Sequence, residues 1–193
     1  VPEVTEANVH ALLDAGVHAV VGTTGWDAAA LDRVRAHAST RPDVGVLIAP
    51  NFALSAVLAM RFAAVAARYF ASAEVVEMHH PRKLDAPSGT AVHTAHGIAA
   101  ARGEAGLGAM ADATATSLPG ARGADVDGVN VHSLRLEGLV AHEQIFLSNP
   151  GELLTIRTDS FDRASFMPGV LLAAREVAAH PGVHVGLETY LDL

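Results

Sequence analysis

Helical patterns alternate with short apolar runs at the beginning of the chain, and this alternation limits the possible folds more than any other feature. The residues from Glu3 to Ala15 carry apolar side chains at helical spacing. Ala19–Val21 then leads into the loop Gly22–Gly25, and Val44–Ile48 leads into the loop Ala49–Phe52. Short apolar runs that end in such loops are typical of buried parallel strands. The pattern predicts half of a doubly wound α/β sheet, a truncated Rossmann-like fold.

The remainder of the chain predicts a second, α+β domain inserted into the first. A helix is expected over Leu54–Phe70 and another from Ser88 to about Arg102, followed by a Gly/Ala/Asp-rich connector over Gly103–Gly128. Such a connector seldom belongs to a core. The other expected elements are a final helix, Phe166–Ala179, and the strands Glu74–Met78, Val129–Leu136, Leu139–Leu147 and Leu153–Thr158. Apart from the first strand, these form a largely antiparallel sheet.

Composition excludes several classes of function. The formal net charge is −8, with 21 acidic and 13 basic residues, which opposes binding to nucleic acid. The longest apolar stretch is interrupted by Arg61 and Arg68, so no membrane span is expected. The sequence holds no cysteine and does not start like a signal peptide, which favours the cytoplasm. His93 and His96 stand three apart, but without a third ligand at a telling distance they do not predict a metal site.

The stretch Glu77–Ala91 concentrates cationic or potentially cationic side chains in an acidic protein. Four of them fall within five positions, namely His79, His80, Arg82 and Lys83. Pro87 and Ser88 can open a helix whose first N–H groups are left uncovered by Gly89, and such a helix start binds carboxylates or phosphates. The sequence therefore predicts a site for a small anion. Two adjacent histidines alone would better fit a strand end with no function.

The run HHPRKLDAPSGTA, from His79 to Ala91, closely resembles the signature of the dihydrodipicolinate reductases. The resemblance continues through VVGTTGW, APNFALS, SLPGARGADVDG and GLVAHEQIF, and so covers nearly the whole chain. It implies reduction of 4-hydroxy-tetrahydrodipicolinate to tetrahydrodipicolinate in lysine and diaminopimelate synthesis, with NADH or NADPH as the cofactor. It also implies a dicarboxylate substrate and a homotetramer built through Val140–Thr158.

The same resemblance implies roles for individual residues. His79 would be a proton donor or acceptor and Lys83 the proton donor, while His80, Gly89 and Thr90 would bind the substrate. The residues that would contact the cofactor are Gly22, Thr23, Thr24, Ala49, Pro50, Asn51 and Phe52. Without the resemblance, the segment from Gly22 to Gly25 would be interpreted as a plain tight turn.

The resemblance also divides the chain into domains. Residues 1–52 would be the remainder of a dinucleotide-binding domain, 53–166 a substrate-binding and tetramerisation domain, and 167–193 a helix and tail that return to the first. The G-x-x-G-x-x-G loop of the family neither precedes nor follows Val20, so we expect the front of that domain to be missing. Two alternatives stay open: a non-catalytic fragment that only oligomerises or binds dicarboxylates, and a reductase of another cyclic imine acid.

Overall fold

The computed structural model describes residues 2–23 and 25–191. Its helices are α1 (Pro2–Asp14), α2 (Ala28–Ala38), α3 (Leu54–Ala67), α4 (Gly89–Glu104) and α5 (Met167–Glu176). Its strands are β1 (Ala19–Val21), β2 (Gly45–Ile48), β3 (Ser72–His79), β4 (Ala124–Val126), β5 (Val129–Arg135), β6 (Ala141–Asn149), β7 (Glu152–Ser160) and β8 (Gly182–Val185). Val1–Leu54 and Ala164–Leu193 form one compact unit, and Ser55–Arg163 form another. None of the helices described is long and apolar enough to cross a membrane.

The first unit contains a parallel sheet with strand order β1-β2-β8. Helix α1 buries Val9 and Leu13 against this sheet's core, and ends before Gly16, whose φ of +68° is a conformation that favours glycine. Helix α2 begins where Asp27 accepts a hydrogen bond from the Ala30 N–H at 2.7 Å. The wholly buried β2 lies at the centre of the sheet. This unit confirms the expected α/β fold class, with helices and parallel strands alternating along the chain.

The second unit contains a mixed sheet with strand order β4-β5-β3-β6-β7. Strand β3 is central and pairs in parallel with β5 and antiparallel with β6. Helix α4 packs Ala91, Ala95 and Ile98 onto a core that includes Val75 and Ile145. All five are completely buried, and each large aliphatic side chain contributes about 2 kcal/mol to folding.

The prediction for the connector was wrong in part. Residues 124–126 of the predicted loop form β4, which pairs antiparallel with β5. Met110 also packs against the core, and its sulfur accepts a hydrogen bond from the Ala73 N–H at 3.0 Å. A three-residue strand in a glycine-rich segment leaves too short a pattern to be recognised before its partner strand is known. Strand β8 was missed because the polar His184 interrupts an already short apolar run.

Candidate active site

The loop between β3 and α4 brings together the residues predicted to bind and protonate a substrate. His79 is the last residue of β3, and His80 and Lys83 follow in the loop. Helix α4 then begins at Gly89, with Ser88 as its N-cap: the Ser88 hydroxyl accepts a hydrogen bond from the Ala91 N–H at 3.2 Å. The basic loop and the first turn of α4 therefore belong to one continuous segment.

The side chain of Glu77 makes hydrogen bonds to both ends of this segment. Glu77 lies two residues before His79 on the same face of β3, and it is completely buried. Its carboxylate accepts hydrogen bonds from His79 Nδ1 at 2.6 Å, from Arg135 at 2.7 and 2.9 Å, and from the Ser88 N–H at 3.2 Å. One buried anion thus joins the ends of β3 and β5 to the start of α4.

The charge of Glu77 fixes the state of His79. Burial raises the pKa of Glu77, but hydrogen bonds from His79, Arg135 and Ser133 lower it more, to about 2. A carboxylate that is ionised at neutral pH can only accept hydrogen bonds, so the Nδ1 atom of His79 carries a hydrogen. The other ring nitrogen, Nε2, is then the one left to exchange a proton with a ligand.

Lys83 and the start of α4 already hold a carboxylate, which belongs to the protein itself. Lys83 Nζ donates a hydrogen bond to one oxygen of Asp85 at 2.7 Å, and the Gly89 N–H donates to the other at 3.2 Å. Lys83 is the main cause that lowers the pKa of Asp85 below its usual value. The loop therefore has the geometry to bind a carboxylate through one ammonium group and one backbone N–H.

His80 supplies an unused polar atom in the same loop. Its Nδ1 is buried and has no hydrogen-bond partner within the described ranges 2–23 and 25–191. The backbone carbonyl of His80 accepts a hydrogen bond from the Lys83 N–H at 3.2 Å, which closes a tight turn. A buried ring nitrogen without a partner is costly unless a ligand or water completes it, so its position favours a polar ligand here.

The predicted cofactor residues lie in the first unit, at the carboxyl ends of β1 and β2. These strands are parallel neighbours, and the Ala49 N–H donates to the Val21 carbonyl at 2.9 Å, which keeps the two loops side by side. Gly22 has the ring of Phe52 next to it: a Cβ atom built there would lie 3.0 Å from the ring. Ala49 itself is buried, and Thr24 lies outside the described residues.

These two loops fit contacts to one end of a dinucleotide. Loops at the carboxyl ends of adjacent parallel strands are where dinucleotides bind in such sheets. Gly22 and Pro50 are exposed, and Asn51 turns its side chain back to accept a hydrogen bond from the Ala53 N–H at 2.9 Å. In the described part of the chain, no G-x-x-G-x-x-G loop joins a strand to a helix.

Sequence reasoning missed the residues that hold the site together. Glu77 had a usable signal, because it stands two positions before His79 in a predicted strand and must share its face. Arg135 had none, since its contact with Glu77 depends on the parallel pairing of β3 with β5, which places His79 opposite Arg135. Asp85 lies within the basic stretch, and the sequence predicts no role for it.

Comparisons with known proteins agree along the whole chain. The family model described as "Dihydrodipicolinate reductase, N-terminus" matches residues 1–52, and the one described as "Dihydrodipicolinate reductase, C-terminus" matches residues 55–191. The 4-hydroxy-tetrahydrodipicolinate reductase of Beutenbergia cavernae is 78% identical over 192 residues, which is 100% of this chain and 78% of the relative. That of Nocardia farcinica is 61% identical over 192 residues, covering 100% and 77%.

A solved structure shows the same architecture. Dipicolinate-bound dihydrodipicolinate reductase from Paenisporosarcina sp. TG-14 matches with a TM-score of 0.89 and 42% sequence identity. The match covers 99% of this chain and 71% of that one. The chain therefore belongs to the dihydrodipicolinate reductase family, a family of nicotinamide-dependent enzymes of lysine biosynthesis.

Proposed function

We propose that this protein reduces 4-hydroxy-tetrahydrodipicolinate to tetrahydrodipicolinate with either NADH or NADPH, and that the segment from His79 to Thr90 binds and protonates the substrate. The observation that carries the proposal is the carboxylate of Asp85, held between the ammonium of Lys83 and the Gly89 N–H. A substrate carboxylate has the same charge and the same pair of acceptor oxygens, so it can take the same place.

The proposed roles follow from the charge balance of the reaction. The substrate loses water and gains one hydride and one proton. When bound, the nicotinamide cofactor supplies the hydride. The ring that receives it becomes electron-rich and needs a proton, which a cationic donor at the site provides. We assign that proton donation to Lys83. His79 would act as a second proton donor or acceptor, through its Nε2 atom. His80, Gly89 and Thr90 bind the carboxylates.

The cofactor contacts are proposed for the loops after β1 and β2. They comprise Gly22, Thr23, Thr24, Ala49, Pro50, Asn51 and Phe52. The parallel pairing of the two strands and the open surface at Gly22 support this assignment. The proposal includes both NADH and NADPH, because the residues of these loops that the structure describes carry no charged side chain to select a ribose hydroxyl or a ribose phosphate.

The proposed domain roles and assembly extend the same assignment. Residues 1–52 and 167–193 would bind the dinucleotide, and 53–166 would bind the substrate and form a cytoplasmic homotetramer. Exposed apolar side chains on β7 support assembly through that sheet: Leu153 is 62% exposed and Leu154 38%. Sedimentation of the purified protein tests the tetramer, and Leu153→Glu should then shift the species to a smaller one.

The decisive experiment measures oxidation of NADH and NADPH by the purified protein with freshly generated substrate. Lys83→Met should lower kcat at least about 100-fold, because it removes the proposed proton donor. Arg82→Met is the matched control: Arg82 is the exposed neighbouring cation, and its loss should change kcat by less than about twofold.

The outcomes separate the alternatives. Turnover that Lys83→Met leaves intact would refute the assigned role of Lys83. A folded protein that binds pyridine-2,6-dicarboxylate but never oxidises either cofactor would support the non-catalytic alternative. Faster turnover of a different cyclic imine acid would redirect the substrate assignment.

A further inference from the structure

A second carboxyl group, that of Glu143, lies next to the candidate active site and has no place in the mechanism above. It is on β6, directly opposite Glu77 of β3 in the antiparallel register. Glu143 is 5% exposed, and Glu77 is completely buried. Two like charges directly opposite each other on paired strands destabilise a sheet, and burial makes the conflict worse. Glu77 already has the cations that keep it ionised.

The hydrogen bonds of Thr94 indicate which carboxyl carries the proton. The Thr94 hydroxyl oxygen lies 3.0 Å from the Thr90 carbonyl and 2.8 Å from Glu143 Oε1. A hydroxyl has one hydrogen, and a backbone carbonyl can only accept. If that hydrogen goes to Thr90, the contact with Glu143 is a hydrogen bond only when Glu143 donates. Both contacts are therefore satisfied together by a protonated Glu143.

The surroundings of Glu143 agree with this proton count. Burial raises the pKa of Glu143 most, and the charge of Glu77 raises it further, whereas the hydrogen bond with Thr94 lowers it. The resulting pKa is about 7. Among the described residues, the groups that face Glu143 are Glu77 on β3, with its partners His79 on the same strand and Arg135 on β5, and Thr94 on α4. Strand β7 presents Thr158, which bonds to Ser55 at 2.7 Å and does not titrate. No cation in this set contacts Glu143.

We propose that Glu143 is a positioning residue, a neutral carboxylic acid that holds the first turn of α4 in place for the substrate. Its O–H group donates a hydrogen bond to the Thr94 hydroxyl, which in turn donates one to the Thr90 carbonyl. The inference rests on the proposed function, since Gly89 and Thr90 are the proposed carboxylate binders. Loss of the Glu143 proton removes the donor and adds a negative charge behind the turn that receives a dicarboxylate. Substrate affinity then falls as the pH rises.

The test compares binding of pyridine-2,6-dicarboxylate by calorimetry from pH 5.5 to 9 in the native protein and in Glu143→Gln. The amide of Gln can still donate to Thr94 but never ionises. His79, His80 and Lys83 are the same in both proteins, so the ratio of the two Kd values isolates residue 143. We expect a ratio near one at pH 5.5 that grows to about tenfold in favour of Gln by pH 9.

Variants of Thr94 complete the test. Thr94→Val should weaken binding by about fivefold at every pH. In the Thr94→Val background, the ratio of the Kd values with Glu and with Gln at position 143 should no longer grow with pH. Thr94→Ser keeps the hydroxyl and should restore native behaviour. Nuclear magnetic resonance of the side-chain carboxyl carbons provides a readout without ligand: one titration near pH 7 should vanish in Glu143→Gln.

Each outcome is decisive. Parallel pH profiles of the two proteins, or the absence of that carboxyl titration, would overturn the positioning role of Glu143 while leaving the proposed function intact. Folded proteins that fail to bind the dicarboxylate at any pH would overturn the proposed function, and the positioning role of Glu143 with it.

Discussion

The ammonium of Lys83 and the carboxylate of Asp85 form an ion pair at 2.7 Å, two residues apart in the loop that leads into α4. The second oxygen of Asp85 accepts from the Gly89 N–H. The protein thus places one of its own carboxylates where we propose that the substrate's carboxylate binds. Ligand binding at these two groups then requires Asp85 to move away, so that internal and external carboxylates compete.

Asp85→Asn tests this competition. The amide no longer neutralises Lys83, so pyridine-2,6-dicarboxylate should bind about fivefold more tightly at low ionic strength. Calorimetric titration measures the change, with Asp43→Asn, at an exposed carboxylate of the other unit, as the control. Weaker binding by Asp85→Asn would instead mean that Asp85 orients Lys83.

Arg135→Met should destabilise the second unit by about 3 kcal/mol at pH 7, because it leaves the buried charge of Glu77 without its guanidinium partner. The folded-state pKa of Glu77, about 2, lies below its usual value of 4.5. The stabilisation is therefore present above pH 4.5 and is lost as the pH falls towards 2, so the cost of the substitution should shrink over that interval.

Urea unfolding at pH 7, 4.5, 3 and 2 measures this dependence. Arg157→Met is the matched control, since Arg157 forms an exposed ion pair with Asp159 and should contribute less than about 1 kcal/mol. Equal costs for the two arginines, or a cost independent of pH, would contradict the central position given to Glu77.

Glu143→Gln should stabilise the protein at neutral and alkaline pH. The folded-state pKa of Glu143 is raised from 4.5 to about 7, so the unfolded chain releases this proton first and the folded state loses relative stability as the pH rises between the two values. Gln lacks this dependence. The gain should be negligible below pH 4.5 and on the order of 2 kcal/mol above pH 7. Thermal unfolding of both proteins at pH 4 and 8 measures this gain in stability. A gain at pH 4 without one at pH 8 would contradict the prediction.

Gly169→Ala should destabilise the first unit and disturb the proposed cofactor loop. A Cβ atom on Gly169 of α5 would lie 2.0 Å from the carbonyl oxygen of Phe52, so the backbone must shift, at about 2 kcal/mol. Binding of NADPH should weaken with it. Gly97→Ala is the control: apart from its chain neighbours and the backbone of its own helix, no atom of the described residues lies within 4 Å of its added Cβ, and alanine within α4 should stabilise by about 0.7 kcal/mol. Similar melting temperatures for both would refute the predicted clash.

Local patterns were enough to predict most elements of the fold. Ala19–Val21 was confirmed as a strand to the residue, and Ser88 was confirmed as the residue that opens α4. The connection between β6 and β7 has only two residues, Pro150 and Gly151, and the φ of Gly151 is +87°, which favours glycine. These features are encoded within a few neighbouring residues, which is why sequence alone predicts them.

The interior of the site could be predicted only in part. The concentration of cationic side chains pointed to His79, His80 and Lys83, and the resemblance gave them roles. The structure places His79 at the end of β3 and the other two in the loop that follows. The partners that set their chemistry come from elsewhere in the chain: Arg135 arrives on β5, and Glu143 arrives opposite Glu77 through strand pairing. Strand register is not written in the short-range pattern, so these contacts could not be derived before the sheet was known.

Strand β3 is hydrogen-bonded to β5 on one side and to β6 on the other along the residues that carry Glu77 and His79. Amide hydrogens there are shielded from solvent exchange until the sheet itself opens. The anion of Glu77 beneath the proposed substrate-binding loop therefore lies on a strand paired on both sides, where slow exchange is expected, whereas Lys83 and Asp85 lie on a loop outside the sheet. The histidine keeps its orientation for as long as the unit stays folded, and only the lysine side of the site has to adapt when a ligand arrives.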